Sequence, residues 1–188
     1  AIKQSDYEVA SHGWRWIDYQ NIPKAKEKKD MQLAIQSIKK IFGQRPLGWY
    51  TGRCSPNTRD LVIEEGGFLY DSDSYSDDLP YWEVRGKKKQ LIVPYTLDNN
   101  DMRFATNQGF NSGDQFYTYL KDSFDALYNE GSTHPKMMSV GLHCRLIGRP
   151  GRIQSLKKFL DYVLKHQEVW ICKRIDIAKH WIKNYSNI

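Results

Sequence analysis

Leu47-Gly48-Trp49-Tyr50-Thr51-Gly52-Arg53-Cys54-Ser55-Pro56-Asn57 is an apolar run that gives out at a Gly-Arg turn and passes into a polar loop. Trp49 and Tyr50 suit a strand, and residues 45–51 are expected to form one that ends at the turn. Asn57 or Thr58 then opens a short helix carried by Leu61, Val62 and Glu65 and stopped at Gly66-Gly67, where a positive φ is easily met. Strand, loop and helix in that order are the repeating unit of an α/β fold.

The same unit recurs on both sides. Upstream, Met31, Ala34, Ile35, Ile38, Ile41 and Phe42 return at three and four, which predicts a helix from Lys24 to Phe42 that Gly43 stops. Downstream, Phe68-Leu69-Tyr70 leads into the acidic loop Asp71 to Asp78, and Leu91-Ile92-Val93 leads to Pro94, so two more buried strands are expected, with Lys87 to Lys89 in a turn. Further helices are predicted from Ser112 to Asn129, from Pro150 through Val163, and over 175–182. Further strands are predicted over 137–142 and 169–172. The alternation points to a parallel sheet, open or curled into a barrel. About five βα units can be counted, fewer than a closed barrel of roughly 250 residues holds.

With 188 residues, 40% of them hydrophobic, the chain reads as a single domain, 1–188, able to bury a substantial core. Its net charge of +6 is scattered over a helix start (Lys24 to Lys29), a turn, and a helix face (Lys157, Lys158, Lys165). No nucleic-acid module and no apolar run of membrane-spanning length accompanies it, so neither nucleic acid nor membrane is an expected partner. Cys54, Cys144 and Cys172 are odd in number and widely spaced, which argues for a reducing, cytoplasmic setting and against a thiolate metal site. The 6 Trp and 12 Tyr suit a ring-lined pocket for a flat or sugar-like ligand, and equally suit core and interface packing.

Three stretches put reactive side chains where an apolar run ends, the place where barrel enzymes carry their chemistry. His12 follows the alternating run Tyr7-Glu8-Val9-Ala10-Ser11, Arg53 opens the loop quoted above, and His143 follows Met137 to Leu142. An imidazole there can move protons or hold a metal, and an arginine can clamp a carboxylate bidentately. Taken singly, each is as well read as a structural histidine or a surface arginine. Asp71, Asp73, Asp77 and Asp78 form an acidic loop in which one carboxylate can tune a histidine while the others are solvated. Cys54 and Cys144 flank these stretches as nucleophiles or as inert thiols.

Taken in order, His12, Arg53-x-x-Pro56, the Asp-rich strand end and Leu142-His143 resemble the polysaccharide deacetylase superfamily, whose fold is a distorted (β/α) barrel. Longer stretches are similar to the bacterial metal-independent allantoinases of that superfamily: 10–16, 48–53, 64–73, 94–98, Asn100-Asp101-Met102-Arg103-Phe104 and 141–146. The likeness runs from Tyr7 to Trp181. It implies hydrolysis of an amide C–N bond, the hydantoin ring of allantoin opening to allantoate. It also implies roles: His143 protonates the leaving nitrogen and is tuned by Asp73, Arg53 holds the base, and His12 polarises the carbonyl or positions water. Trp14, Trp16 and Trp82, with Pro56 and Asn57 in the Arg53 loop, are the expected substrate contacts.

The resemblance carries two departures. Superfamily deacetylases have His-x-x-x-His at the first of these stretches and bind a divalent metal such as zinc, whereas here His12 is followed by Trp16, so no cofactor is expected. The superfamily's Asp-Asp strand end, which supplies the base, has no counterpart here. The chain is therefore expected to be the C-terminal portion of a polysaccharide deacetylase-like domain, as a fragment or split product. An N-deacetylase of peptidoglycan or another amino sugar, using a metal, is the alternative, and a catalytically incomplete binding or assembly module is a third. The expected partners are a small-molecule amide substrate and further copies of the chain in a homo-oligomer.

Overall fold

A computed structural model describes residues 1–186. Its α-helices are α1 (Lys24–Phe42), α2 (Thr58–Glu65), α3 (Gly113–Gly131), α4 (Pro150–Val163) and α5 (Arg174–Asn184). Its strands are β1 (Gly48–Trp49), β2 (Tyr70–Asp71), β3 (Tyr81–Arg85) and β4 (Lys88–Ile92). The residues divide into two compact units, one made of 1–94 with the chain from Cys172 onward, the other of Tyr95–Ile171.

The first unit holds the sheet, in the order β1-β2-β4-β3. β1, β2 and β4 run parallel, and β3 returns antiparallel to β4. Ser11 continues the parallel order through a bridge to Trp49. Ser11, β1, β2 and β4 therefore lie side by side in chain order and run out at one end, where His12, Arg53 and Asp73 follow them. Parallel staves in sequence order, joined by helices, are how a (β/α) barrel is laid down.

Met31 on α1, Trp49, Leu61 and Val62 on α2, and Phe68 form the core beneath these strands. A β-carbon at Gly48 would run into the Tyr70 ring, so only glycine lets β1 and β2 pair this closely. α5 is tied to the strand ends through Arg174, which donates to the Ser72 hydroxyl and to the Val93 and Pro94 carbonyls.

The second unit is built on α3 against α4. Phe110, Phe116, Leu120 and Phe124 pack with Ile147, Phe159 and Val163, and burial of this aromatic and aliphatic area is its main stabilisation. The Ser112 hydroxyl caps α3 by accepting from the Gln115 amide at 3.3 Å, and Pro150 starts α4, where its missing N–H costs nothing.

The helices lie where periodicity puts them, and α1 stops at Gly43 with φ 83° as expected. Several strands do not. Residues 45–51 yield only Gly48–Trp49, and of 7–11 only Ser11 is bridged. Lys88 and Lys89 lie in β4 rather than in a turn, because Gly86, at φ 59°, makes the reversal and frees them to pair with β3. Residues 137–142 make a single bridge, Gly141 to Asn100. There the Thr96 and Ser139 hydroxyls each accept the other residue's backbone amide, at 2.9 and 3.0 Å, so side chains replace a ladder. Residues 169–172 form no strand, and Trp170 and Ile171 are more than half exposed, where a buried strand would have hidden them. No helix among the described residues is long and apolar enough to cross a membrane.

Candidate functional site

In the second unit the chemistry gathers on one carboxylate. Asp101 opens a 310 turn, Asp101–Ala105, and is fully buried. Its Oδ1 accepts from His143 Nδ1 at 2.7 Å, and its Oδ2 accepts from the backbone amides of His143 at 2.8 Å and Ile147 at 3.0 Å. The Asp101 amide donates to the Gly141 carbonyl, and the Gly141 amide donates to the Asn99 carbonyl, which fixes the two segments in register. A β-carbon at Gly141 would strike the Tyr95 hydroxyl and the Asn100 amide, so glycine is required two residues before the histidine.

A carboxylate can only accept here, so His143 Nδ1 carries the proton and Nε2 is left for chemistry. The imidazole is about a quarter exposed, and Nε2 has no bond to any described residue. The arrangement holds the ring in one tautomer and one orientation, as a general acid or base requires. The sequence reading gives this tuning role to Asp73; the partner found is Asp101.

In the first unit, Asp73 is spent on backbone. Its Oδ1 accepts from the Thr51 and Gly52 amides at 3.0 and 2.7 Å, and its Oδ2 accepts from Thr51 at 2.9 Å, which clamps the turn leading to Arg53. Beneath it lies Asp71, fully buried, whose Oδ1 accepts from the Asp73 amide at 2.9 Å. Arg59 NH1 stands 2.8 Å from Asp71 Oδ2 as an ionic contact in which neither atom is aligned for a hydrogen bond. The same guanidinium donates to the Asp73 carbonyl at 2.8 Å and meets Glu83 at 3.3 Å. Burial pushes the Asp71 carboxyl well above the usual carboxylate range; Arg59 opposes the rise, and the Asp73 and Glu83 charges add to it.

The remaining expected residues of this unit sit around that turn or away from it. Arg53 is exposed, and its guanidinium carbon lies 4.2 Å from the centre of the Trp16 ring. His12 packs its ring against Tyr50, centroids 5.2 Å apart. Trp14 and Trp16 are 40% and 58% exposed, with one face of the Trp16 ring carrying the Arg53 guanidinium. Pro56 is exposed, and Asn57 is the first cap of α2 by its backbone alone. Trp82 lies on β3 and is engaged in the fold: its indole N–H donates to the Tyr185 carbonyl at 2.7 Å, and Lys89 covers its ring. Burial and the neighbouring Asp73 carboxylate push the Cys54 thiol far up although the residue reaches solvent, which makes it a poor nucleophile.

Among the described residues no three His, Cys, Asp or Glu side chains gather into a group able to hold a metal ion. At the position where a second imidazole would be needed stands Trp16, whose ring carries a guanidinium.

The chain is similar to proteins of known sequence and structure. Residues 1–63 match the family model described as polysaccharide deacetylase. A Schizosaccharomyces pombe protein provisionally named polysaccharide deacetylase is 43% identical, over 96% of this chain and 62% of its own length. A crystal structure from Pseudomonas aeruginosa PAO1, also provisionally named polysaccharide deacetylase, is 58% identical with a TM-score of 0.93, over 96% of this chain and 61% of that one. The PuuE allantoinase is 57% identical with a TM-score of 0.93, over 96% and 60%. The chain thus spans about three fifths of the length of the relatives it matches.

Proposed function

We propose that this chain, whose sequence and α/β fold are of the polysaccharide deacetylase type, carries catalytic residues of a hydrolase of non-peptide C–N bonds that opens the hydantoin ring of allantoin. The observation that carries the reading is the Asp101–His143 pair, a buried carboxylate bonded to Nδ1 of a partly exposed imidazole whose Nε2 is left unbonded among the described residues. The likeness to the PuuE allantoinase supports the ring-opening substrate, and the exposed residues Trp14 and Trp16 suit a flat ring.

In this mechanism the oxygen of water bonds to the ring carbonyl carbon while a carboxylate base takes its proton. The C–N bond then breaks, and His143, entering the step as the imidazolium with its Nδ1–H held by Asp101, delivers its Nε2 proton to the departing nitrogen and is left neutral; the proton that the base took from water, passed on through solvent, restores it for the next turnover. The base is the upstream carboxylate that the family resemblance implies, with Arg53 its clamp and His12 a polariser of the carbonyl. Asp73 serves by fixing the Arg53 turn. No step is routed through a metal.

The deacetylase names of two relatives favour a second reading, removal of an N-acetyl group from an amino sugar. The test is turnover by the full-length protein. Allantoate formation that survives EDTA supports the first reading. Acetate release from N-acetylated oligosaccharide that EDTA abolishes, with allantoin untouched, overturns it.

A further inference from the structure

One face of α1 holds the loop that carries Arg53, directly through Ser55 and Thr58 and indirectly through Tyr19. Glu27 is buried, and its carboxylate accepts from the Ser55 hydroxyl at 2.5 Å and from the Thr58 hydroxyl. Each hydroxyl in turn accepts a backbone amide of the loop: Asn57 N–H donates to Ser55 Oγ at 2.9 Å, and Ser55 N–H donates to Thr58 Oγ1 at 2.8 Å. Amide, hydroxyl and carboxylate thus form two relays that converge on Glu27. Three residues on, Asp30 is buried and accepts from the Tyr19 hydroxyl at 3.2 Å, while the Tyr19 amide donates to the Arg53 carbonyl at 3.2 Å. Burial, with Asp30 adding, pushes the Tyr19 phenol up to about 12, so it remains a donor.

Lys26 offsets the Asp30 charge at 3.3 Å, but Glu27 has no cation beside it among the described residues. A buried carboxylate balanced only by hydroxyls costs free energy that a packed apolar side chain would avoid. What the chain gains is a loop in which the Ser55 and Asn57 amides and the Arg53 carbonyl are all spoken for, two residues from a guanidinium stacked on Trp16.

We infer that Glu27 is a positioning residue for Arg53, acting through the Ser55 and Thr58 hydroxyls; this rests on the proposed role of Arg53. In the full-length protein, Glu27→Gln and Thr58→Val lower kcat for allantoin about tenfold with KM within about twofold, while Thr58→Ser, which keeps the hydroxyl, restores turnover. In an Arg53→Ala background Glu27→Gln adds less than about twofold, because the group it positions is gone. Hydrogen exchange at the Ser55 and Asn57 amides speeds about tenfold in Glu27→Gln, a readout independent of turnover.

Unchanged exchange at those amides overturns the inference. So does an undiminished Glu27→Gln penalty in the Arg53→Ala background when Arg53→Ala is itself slow. Full turnover in Arg53→Ala removes the proposed role of Arg53, and this inference with it.

Discussion

Asp101 and Asp73 each follow a bridged or paired residue of a strand end, Asn100 and Asp71, and they do opposite work. Asp101 is sunk out of solvent and spends one oxygen on Nδ1 of an imidazole, the other on two backbone amides. Asp73 is half-buried and spends both oxygens on the Thr51 and Gly52 amides, so it shapes a turn and presents nothing reactive itself. The difference shows that what a carboxylate is hydrogen-bonded to, more than where it falls on a strand, sets its role. Asp73, which the resemblance paired with the histidine, braces a turn, and Asp101, given no role from the sequence, holds the imidazole.

The comparison can be broken in the full-length protein by graded substitutions. His143→Ala removes the proposed proton donor and is expected to lower kcat on allantoin about a thousandfold. Asp101→Asn leaves the imidazole but presents an amide to Nδ1, releasing the tautomer and the aim; about a hundredfold is expected, seen in kcat more than in KM. Asp73→Asn keeps one acceptor for the turn and loosens the other, so about tenfold is expected. An Asp73→Asn loss as large as that of Asp101→Asn would erase the distinction between the two carboxylates.

The smallest effect concerns stability. Because Asp71 holds its proton to higher pH in the folded chain than unfolded, raising the pH strips the unfolded state first and favours it. The contribution of Asp71 to stability is therefore full below the unfolded carboxyl pKa and is lost as pH rises toward the elevated folded value. Asp71→Asn lacks that slope, so its thermal midpoint should gain on the wild type between about pH 4 and neutrality. Parallel midpoint curves would contradict the burial argument.

Much of the frame was legible in the chain. Helical periodicity placed α1, α3 and α4, because amphipathic spacing survives any neighbour. The β3–β4 hairpin was not, since Lys87 to Lys89 read as a charged turn while only Lys87 shares the turn with Gly86 and Lys88 and Lys89 pair in β4. Strand lengths were overstated wherever hydroxyls stand in for ladder bonds, as between Thr96 and Ser139. His143 was recognisable from its place after an apolar run. Asp101 was passed over although it lies in Asn100–Phe104, a stretch that carries the family resemblance. Its target is 42 residues away, and no local pattern encodes that pairing. Glu27 was hidden for the same reason, reading as one charge among the lysines of a helix start.

The central claim is that His143 gives a proton to a leaving nitrogen, and a change of leaving group tests it most directly. Single-turnover rates of wild type and His143→Ala should be compared on allantoin and on a ring-acylated analogue whose departing nitrogen needs no proton. The account predicts that the loss on allantoin, about a thousandfold, shrinks to less than about tenfold on the activated substrate. An equal loss on both would contradict it.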